Sequence, residues 1–439
     1  MTYKELYNII TNENDALFKT KASILVKDEK IERLRYKNLL IDFKNEYDVK
    51  DFEEVYIVSS PGRTEICGNH TDHQRGTVVC ATLNIDNVCA VKKDDDNIVR
   101  FIDKKFDIKE ININELEKND NEENTAASII RGVASKLKSL KYNIGGFSAY
   151  CDSEVFVGSG ISSSACFENM IVEIFNALYN DDKIDEISRA KISQYAENIY
   201  FGKPCGLMDQ MSISVGGFTT IDFKNQNEPI IKKSEFNFSD FGYELMIVNT
   251  NSSHADLSDE YAAMPYEMKS VAKYFNKEVL SEVDINDFYN NIKKLREVLK
   301  NDRAILRSIH FFEENKRAKK FGELLEKYEN KNDVDKDQVI NSIISIMKES
   351  ARSSFEYLQN VYVSNKEKDQ SLSIALALAS HFIGIDGGVC RVHGGGFSGT
   401  IQIVIKKEKL NIIDELEKVF GMGAVLSVKT RNIGTFRVL

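Results

Sequence analysis

The turn-forming residues of this chain are concentrated in a few short segments. Proline occurs four times in 439 residues, at Pro61, Pro204, Pro229 and Pro265. Glycine clusters in the ranges 62–76, 158–160, 202–217 and 384–399. Because glycine reaches backbone conformations that are closed to other residues and proline fixes its own, each cluster marks a place where the sequence specifies an unusual turn. The long intervals between the clusters are free to form regular helices and strands.

Those intervals predict a mixture of helices and strands. Residues 1–50 are charged and are expected to be mostly helical, a helix is expected from Ala165 onward, and residues 284–365 form a helix-rich block. Apolar and β-branched runs predict strands at residues 55–60, 77–92, 146–157, 243–249 and 400–406. Strands occur early and late with helices between them, and regular βαβ winding is not evident. The predicted fold class is α+β.

Length and charge narrow the class of protein further. At about 100–200 residues per domain the length suggests two or three domains. With 58 Lys and Arg against 68 Asp and Glu, the net charge of −10 argues against a nucleic-acid-binding or membrane-binding protein. Charged residues interrupt the N-terminal segment, which predicts no signal peptide, and the longest apolar stretch, residues 374–385, is too short to span a bilayer. The seven cysteines are scattered singly, which favours a reducing cytoplasm.

The segment 394–399 reads GGGFSG and matches the G-x-G-x-x-G pattern of dinucleotide-binding proteins. That pattern requires a helix directly after it, whereas TIQIVIK follows here and predicts a strand. A protein-kinase glycine loop would need the downstream HRD and DFG motifs, which the sequence lacks. Two interpretations stay open: a tight turn between strands, or backbone that packs against a ligand.

The segment 157–165 reads VGSGISSSA and is suited to an anion. Its glycines let backbone N–H groups approach a phosphate, and the helix that follows presents further unpaired N–H groups. It lacks the lysine of a Walker A loop, so it is no P-loop. The alternative is an ordinary serine cap at the start of a helix.

Two more segments carry dense polar groups. Residues 60–73 read SPGRTEICGNHTDH and supply side chains that can bind sugar hydroxyls; the H-x-D-H cluster within them lacks the further ligands that a metal site needs. Residues 202–210 read GKPCGLMDQ, with Glu197 just upstream, and an aspartate in such a turn is usually only a turn former.

Taken together and in this order, the segments resemble the galactokinase branch of the GHMP small-molecule kinases. Residues 63–72 are similar to the family's R-x-N-x-I-G-E-H-T-D, residues 158–165 to its phosphate loop, and residues 204–210 to its P-C-G-I-M-D-Q. The stretch 249–261 resembles the family's segment ending S-E-Y, and residues 391–399 resemble its R-M-T-G-G-G-F-G-G. The resemblance therefore covers most of the chain.

The resemblance implies a two-lobed GHMP kinase fold, each lobe a mixed or antiparallel sheet with helices, and an active site in the cleft between lobes. The expected lobes are residues 1–235, with the sugar signature and phosphate loop, and 236–439, with a helical insertion. The implied function is an ATP-dependent, Mg²⁺-requiring sugar 1-kinase acting on galactose in the cytoplasm. The only partner implied is the small-molecule sugar, without nucleic acid or membrane, and the chain is expected to be a monomer or a weak homodimer.

The family's site residues carry over to matching positions. Asp209 is the implied base or orienting carboxylate for the anomeric hydroxyl, and Arg63 is expected to keep it ionised and to stabilise the transferring phosphoryl group. The implied sugar-binding residues are Asn69, His70, Asp72, Gly206 and Tyr261. The implied nucleotide-binding residues are Gly158, Ser159, Gly160, Ser162, Ser163 and Ser164. Ser164 and Glu197 are the implied ligands of Mg²⁺.

Several positions depart from the family pattern. Asn69 stands where the family usually has a glutamate that binds the C6 hydroxyl, Glu65 replaces the usual asparagine, and His393 replaces threonine. A neutral Asn69 is expected to discriminate less sharply at C6 and would not repel a C6 carboxylate. Galactose is the expected substrate, with galacturonate or N-acetylgalactosamine as alternatives. A non-catalytic sugar sensor on the same fold is a further alternative, disfavoured because the serine loop and Asp209 are both present.

Overall fold

The structure is a computed structural model that describes residues 1–103, 106–155, 160–252, 257–330, 335–397 and 399–439. The helices of this part of the chain are α1 (Tyr3–Thr11), α2 (Ala16–Ile24), α3 (Glu29–Tyr47), α4 (Ala126–Ser139), α5 (Ser163–Tyr179), α6 (Glu186–Tyr195), α7 (Met208–Val215), α8 (Ser258–Tyr274), α9 (Ile285–Asn290), α10 (Ile292–Leu299), α11 (Asp302–Asn330), α12 (Lys336–Ser353), α13 (Ser371–Ile383) and α14 (Ile412–Phe420). The strands are β1 (Tyr56–Cys67), β2 (Thr77–Lys93), β3 (Ile98–Asp103), β4 (Phe106–Asn112), β5 (Phe147–Ser153), β6 (Phe218–Asp222), β7 (Ile230–Ser234), β8 (Tyr243–Asn249), β9 (Gly388–Val392), β10 (Thr400–Lys406), β11 (Val425–Val428) and β12 (Phe436–Arg437). None of the described helices is long and apolar enough to cross a membrane.

Most of these elements were predictable from local sequence. Asp15, Asp28 and Asp185 directly precede α2, α3 and α6, and the side chain of each accepts a hydrogen bond from a backbone N–H of the first turn. The helical N-terminal region and the strands β8 and β10 are confirmed at the predicted positions. Strand β1 is longer than predicted, because its pairing with β2 continues past Pro61 after a shift in register.

The strands form two sheets. The first has eight strands in the order β12-β1-β2-β5-β3-β4, with β6 and β7 extending it from β2. Its pairs are antiparallel apart from β3 and β5, which are parallel. The second sheet has four antiparallel strands in the order β11-β8-β10-β9. The α+β class with two mixed or antiparallel sheets is therefore confirmed.

A continuous core joins the two sheets. One cluster of buried residues includes Phe218 from the first sheet, Val404 from the second, and Phe321 and Ile343 from the two long helices α11 and α12. The helical block that the sequence predicted over residues 284–365 thus packs against both sheets. The division into two lobes at residue 235 stays a prediction. Strand β12 lies in the range predicted for the second lobe, but it pairs with β1 in the first sheet.

Asp86 in β2 lies at the centre of a buried charged cluster. Its carboxylate accepts hydrogen bonds from Arg35 over 2.7 Å, from Lys27 over 3.0 Å and from Arg431 over 3.1 Å. The hydroxyl of Ser59 donates to it over 2.5 Å. One carboxylate therefore fastens α3, the residues just before it and the C-terminal segment to β2, an interior strand of the first sheet.

We expect Asp86→Ala to lower the free energy of unfolding by about 3–5 kcal/mol, because three cations would lose their shared buried carboxylate. The measurement is urea-induced unfolding. Arg352→Ala is the control: its side chain is 70% exposed and pairs with Glu356 on the surface, and it should change stability by less than about 0.5 kcal/mol. Equal losses in the two variants would contradict this account of the cluster.

Candidate active site

Strand β1 carries the first part of the site, and its pairing with β2 is irregular on both sides of Arg63. The register shifts between Pro61 and Arg63 and again between Glu65 and Cys67. Such bulges bend a strand and redirect its side chains, and they are frequent beside functional sites. The short segment between the two shifts holds Arg63 and Glu65, both of them charged and both buried.

Arg63 binds both Asp209 and the loop before α5. Its Nε donates to Oδ1 of Asp209 over 2.8 Å and its Nη2 donates to Oδ2 over 2.7 Å. Nη1 donates to the carbonyl oxygen of Gly160 over 2.6 Å, and the backbone N–H of Arg63 donates to the carbonyl of Ile161 over 3.1 Å. The Arg63 side chain is 6% exposed and that of Asp209 is 31% exposed. The pair thus presents its carboxylate, not its guanidinium, to solvent.

Arg63 also determines the charge of Asp209, which lies in the first turn of α7. Burial alone would raise the pKa of this carboxyl group, but the guanidinium charge, its hydrogen bonds and a hydrogen bond from Ser162 outweigh burial and lower the pKa. Asp209 is therefore ionised at neutral pH. In the described structure Oδ2 accepts from Arg63 and Ser162, whereas Oδ1 accepts from Arg63. Oδ1 retains capacity for one more donor, such as a substrate hydroxyl.

The loop before α5 is the segment in which the sequence predicts phosphate binding. Gly158 and Ser159 lie outside the described residues, whereas Gly160, Ser162, Ser163 and Ser164 lie within them. Ser162 occupies the N-cap position in a left-handed conformation (φ 61°), and its hydroxyl donates to Asp209 instead of capping the helix. The first N–H groups of α5 are thus without a side-chain cap, beside Arg63 and Asp209. A helix start of this kind attracts anions, and phosphate binding by these residues stays a prediction.

The two predicted metal ligands are brought together. Ser164 Oγ lies 3.2 Å from Oε1 of Glu197, which is buried in a π-helical turn (Ala196–Phe201) that continues α6. The amide nitrogen of Gln210 donates both to Glu197 over 2.7 Å and to Glu168 over 3.0 Å. Oε1 of Glu168 and Oε1 of Gln210 are buried without a hydrogen-bond partner among the described residues.

These atoms fit a hard divalent cation. Ser164 and Glu197 offer adjacent oxygen donors, and the two unpartnered oxygens of Glu168 and Gln210 lie in the same cluster. Within the described ranges no three His, Cys, Asp or Glu side chains converge on a metal position. Mg²⁺ suits such a sparse set, because it keeps several waters and takes further oxygens from phosphate.

His70 and Asp72 follow β1 and are half-buried. Nε2 of His70 lies 3.0 Å from the carbonyl oxygen of Gly395, and since a carbonyl can only accept, Nε2 carries the hydrogen. Burial lowers the pKa of His70, so that the ring is neutral at pH 7 and Nδ1 is an acceptor. Burial raises the pKa of Asp72 to about 6, against the attraction of His70. Both side chains can therefore accept hydrogen bonds from hydroxyl groups at neutral pH.

Gly206 and Tyr261 complete this side of the cleft. A Cβ atom at residue 206 would lie 1.8 Å from Oδ2 of Asp72, so a glycine is required there for the carboxylate to keep its place. The hydroxyl of Tyr261, in α8, donates to the carbonyl of Gly396 over 3.1 Å. A Cβ at Gly395 would lie 2.4 Å from the Tyr261 ring. Residues 394–396, which lie between β9 and β10, thus pack closely against predicted sugar-binding residues.

Asn69 is placed differently from its predicted neighbours. It is fully buried, and its amide nitrogen donates to Glu65 and to the carbonyl of Gly394, each over 2.8 Å. Its amide oxygen accepts from Ser354 and from Asn360, each over 3.1 Å. The nitrogen of an amide side chain can donate two hydrogen bonds, and its oxygen can accept two. All four of these hydrogen bonds are made to other residues of the protein. Direct sugar binding by Asn69 stays a prediction, and this conformation leaves no free capacity for it.

Glu65 is the charged partner in that buried pair. Arg391 donates to Oε1 of Glu65 over 3.1 Å and to its backbone carbonyl over 2.8 Å. Burial raises the pKa of Glu65, whereas Arg391 and the hydrogen bond from Asn69 act in the opposite direction. Glu65 is therefore hydrogen-bonded both to the guanidinium group of Arg391 and to the amide of Asn69.

Sequence reasoning did not select three residues that the structure brings to the site: Glu168, Lys203 and Gln210. Lys203 and Gln210 lie in the same segment as Asp209, and that proximity was the only signal available. Glu168 lies one turn after Ser164 on α5, so a helical projection could have placed it near the loop. His393, noted as a departure from the family, is buried with Nδ1 3.1 Å from Oγ1 of Thr400.

The arrangement supports phosphoryl transfer to a hydroxyl group. Arg63 binds the ionised carboxylate of Asp209, which has a free acceptor site. The uncapped start of α5 lies beside this pair. Ser164, in the first turn of α5, contacts Glu197, and the two offer hard oxygen ligands. Phosphoryl transfer depends mainly on positioning and on compensating negative charge, and it needs little covalent participation by the protein.

Comparisons with known proteins agree with this geometry. Residues 128–217 match the family model of the GHMP kinases N terminal domain, and residues 41–93 match that of the galactokinase galactose-binding signature. By these two matches the chain is similar to the galactokinase branch of the GHMP kinases. The first matched range contains the loop, Glu197 and Asp209, and the second contains Arg63 and the residues that follow it.

Individual relatives span nearly the whole chain. The galactokinase of Clostridium tetani (strain Massachusetts / E88) is 26% identical over 387 residues, covering 85% of this chain and 92% of that protein. The galactokinase of Limosilactobacillus reuteri (strain DSM 20016) is 28% identical over 387 residues, covering 83% and 89%. The crystal structure of Lactococcus lactis galactokinase complexed with galactose superposes with a TM-score of 0.75 at 20% identity, covering 90% of this chain and 98% of that one. This last likeness establishes the GHMP kinase fold.

The departures from the family at residues 65 and 69 prove to be one exchange. Where the family usually has asparagine and then glutamate, this chain has glutamate and then asparagine, and the two side chains are hydrogen-bonded to each other. We expect Asn69→Glu to destabilise the protein by about 3 kcal/mol or more, because a second carboxylate would be buried beside Glu65 with one guanidinium to pair with. The measurement is the free energy of unfolding in urea.

Asn69→Gln is the matched control, since it adds the same methylene group without a charge and should cost about 1–3 kcal/mol through overpacking. The double variant Glu65→Asn/Asn69→Glu restores a single carboxylate and should recover at least half of the loss in Asn69→Glu. If the double variant loses as much stability as Glu65→Asn and Asn69→Glu do together, the two positions are not energetically coupled. The exchange would then not be a compensating one.

Proposed function

We propose that the chain transfers the γ-phosphoryl group of ATP to the anomeric hydroxyl of galactose, giving galactose 1-phosphate and ADP. The observation that carries this proposal is Asp209, held ionised by Arg63 at the open side of the cleft and beside the uncapped start of α5. A carboxylate in that position can accept a hydroxyl proton next to the place where a phosphate would be bound.

In the proposed reaction, the hydroxyl on C1 of the sugar donates a hydrogen bond to Oδ1 of Asp209. As its oxygen bonds to the γ-phosphorus, the bond from phosphorus to the β,γ-bridging oxygen breaks, ADP leaves, and the hydroxyl proton passes to Asp209. Because the pKa of Asp209 is lowered, it is a weak base that orients the hydroxyl first and takes the proton late, which suits a loose transition state.

The remaining groups bind and position the substrates. Asp72 and Nδ1 of His70 accept hydrogen bonds from sugar hydroxyls, and the backbone N–H groups at the start of α5 bind phosphate oxygens. Ser164 and Glu197 hold Mg²⁺, which, when bound, neutralises negative charge on the phosphate oxygens. All seven cysteines are free, which supports a reducing compartment such as the cytoplasm as the site of action.

The direct test is ADP release in the presence of Mg²⁺-ATP and galactose, glucose, galacturonate, galactosamine or N-acetylgalactosamine, each at the same concentration. Galactose should give the highest kcat/KM. A higher kcat/KM for another sugar would show that galactose is not the preferred substrate, but it would still support a sugar kinase. No ADP release with any sugar would contradict the kinase proposal and favour a sugar sensor.

We expect Asp209→Asn to lower kcat by at least about 100-fold, because asparagine keeps the shape of the side chain but cannot take up the proton. ATP binding, measured by calorimetry without sugar, should be largely unchanged, and this serves as the control for folding. Turnover within about tenfold of wild type, a barrier change of only ~1.4 kcal/mol, would show that Asp209 is not the proton acceptor.

The pH dependence should report on Asp72. Below a pKa of about 6 its carboxyl group is protonated and loses acceptor capacity, so kcat/KM for galactose should rise with pH through about 6 and then level off. Asp72→Asn should lower the plateau and remove this rise. The measurement is kcat/KM from pH 4.5 to 8; an unchanged rise in Asp72→Asn would assign it to another group.

A further inference from the structure

Lys203 is a cation at the predicted metal position that the reaction described above does not use. It directly follows Gly202, whose left-handed conformation (φ 87°) ends the π-helical turn that contains Glu197. The backbone N–H of Lys203 donates to the carbonyl of Glu197 over 3.2 Å. The backbone therefore fixes where the Lys203 side chain begins, close to Glu197, while its long aliphatic stem leaves the ammonium group free to move.

The ammonium group of Lys203 lies 3.3 Å from Oε1 of Glu197. That oxygen is the one that also accepts a hydrogen bond from Ser164. The two side chains differ sharply in exposure, because that of Glu197 is 3% exposed and that of Lys203 is 55% exposed. In an ordinary surface salt bridge both partners reach solvent. Here the carboxylate of Glu197 is buried and fixed, whereas the ammonium group of Lys203 is exposed and can move.

The surroundings of Lys203 are rich in negative charge. Its charge interacts with Asp209 and Glu168 as well as with Glu197, and it also acts on the phenol group of Tyr261. Lys203 therefore contacts the predicted metal ligand Glu197 directly, and its charge also acts on Asp209.

A divalent cation and the ammonium group would compete for the same oxygen of Glu197. If a divalent cation and a nucleotide occupied this position, the ammonium group of Lys203 would leave Oε1 of Glu197 and would pair with the phosphate oxygens of the nucleotide. Lysine is a flexible point charge well suited to such a contact.

We propose that Lys203 binds the terminal phosphate groups of the nucleotide and that, without nucleotide, its ammonium group takes the place of the divalent cation beside Glu197. This inference rests on the proposed kinase function and adds a residue that positions the phosphoryl donor. It predicts a contact that depends on the number of phosphates and not on the adenosine part of the nucleotide.

The test compares the wild type with Lys203→Met and Lys203→Arg, in which the charge is removed or kept. Calorimetric titration with AMP, ADP and ATP, each with Mg²⁺ and without sugar, measures binding separately from turnover. Lys203→Met should weaken ATP binding about tenfold and ADP binding less, and should leave AMP binding within twofold. Lys203→Arg should recover most of the loss, and KM for galactose should stay unchanged in both variants.

Lys183→Met is the matched control, because Lys183 is 72% exposed and pairs with Asp181 in the connection between α5 and α6; it should bind all three nucleotides as the wild type does. ATP binding within twofold of wild type in Lys203→Met, or equal losses for ATP and AMP, would overturn the proposal. If the wild-type protein binds ATP and phosphorylates galactose in the same experiment, a contrary result for Lys203→Met concerns the role of Lys203 and not the proposed kinase function. Wild-type protein without ATP binding would overturn both the function and this inference.

Discussion

The ion pair between Arg63 and Asp209 is the interaction on which the rest of the site depends. One guanidinium group reaches Asp209 through two hydrogen bonds and Gly160 through a third, so β1, α7 and the loop before α5 meet at a single side chain. Buried charges are costly unless they are paired, and a planar guanidinium pairs best with a carboxylate in this two-bond geometry. The same contacts that hold the elements together also keep Asp209 ionised. Position and charge, the two requirements of phosphoryl transfer, therefore have one physical cause.

A second buried pair shows how the protein keeps its charge balance while its sequence departs from the family. Glu65 and Asn69 carry the carboxylate and the amide in exchanged positions, and they remain hydrogen-bonded to each other, with Arg391 as the counter-charge. What the packing requires is one carboxylate and one amide at this place, because a second buried carboxylate would have no partner. The substitution at residue 69, when considered alone, indicates a change in sugar recognition. The hydrogen-bonded pair indicates instead that one carboxylate and one amide are kept at this place with their positions exchanged.

The metal side of the cleft follows the same principle with a movable partner. Glu197 is fixed and buried, and Ser164, Gln210 and Lys203 all direct polar hydrogens toward it. On the proposal made above, Glu197 binds a divalent cation in one state, and the exposed Lys203 compensates its charge in the other. The site would then combine a permanent ion pair at Asp209 with an exchangeable one at Glu197.

Local sequence determined much of this protein. The glycine-rich segments located Arg63, the loop before α5 and Asp209, the apolar runs predicted β8 and β10, and the order of the motifs indicated a resemblance to the kinase family. Tertiary structure alone decided which polar groups meet. Asn69 belongs to the same motif as His70 and Asp72, yet three of the four hydrogen bonds of its amide join it to residues 285 to 325 positions away. Glu168 and Lys203 match no sequence pattern, and they become part of the site because α5 and the turn after α6 are packed against each other around Gln210. Hydrogen bonds and ion pairs act over a few ångströms, so the identity of a residue limits what it can bind, and the fold decides what is within reach.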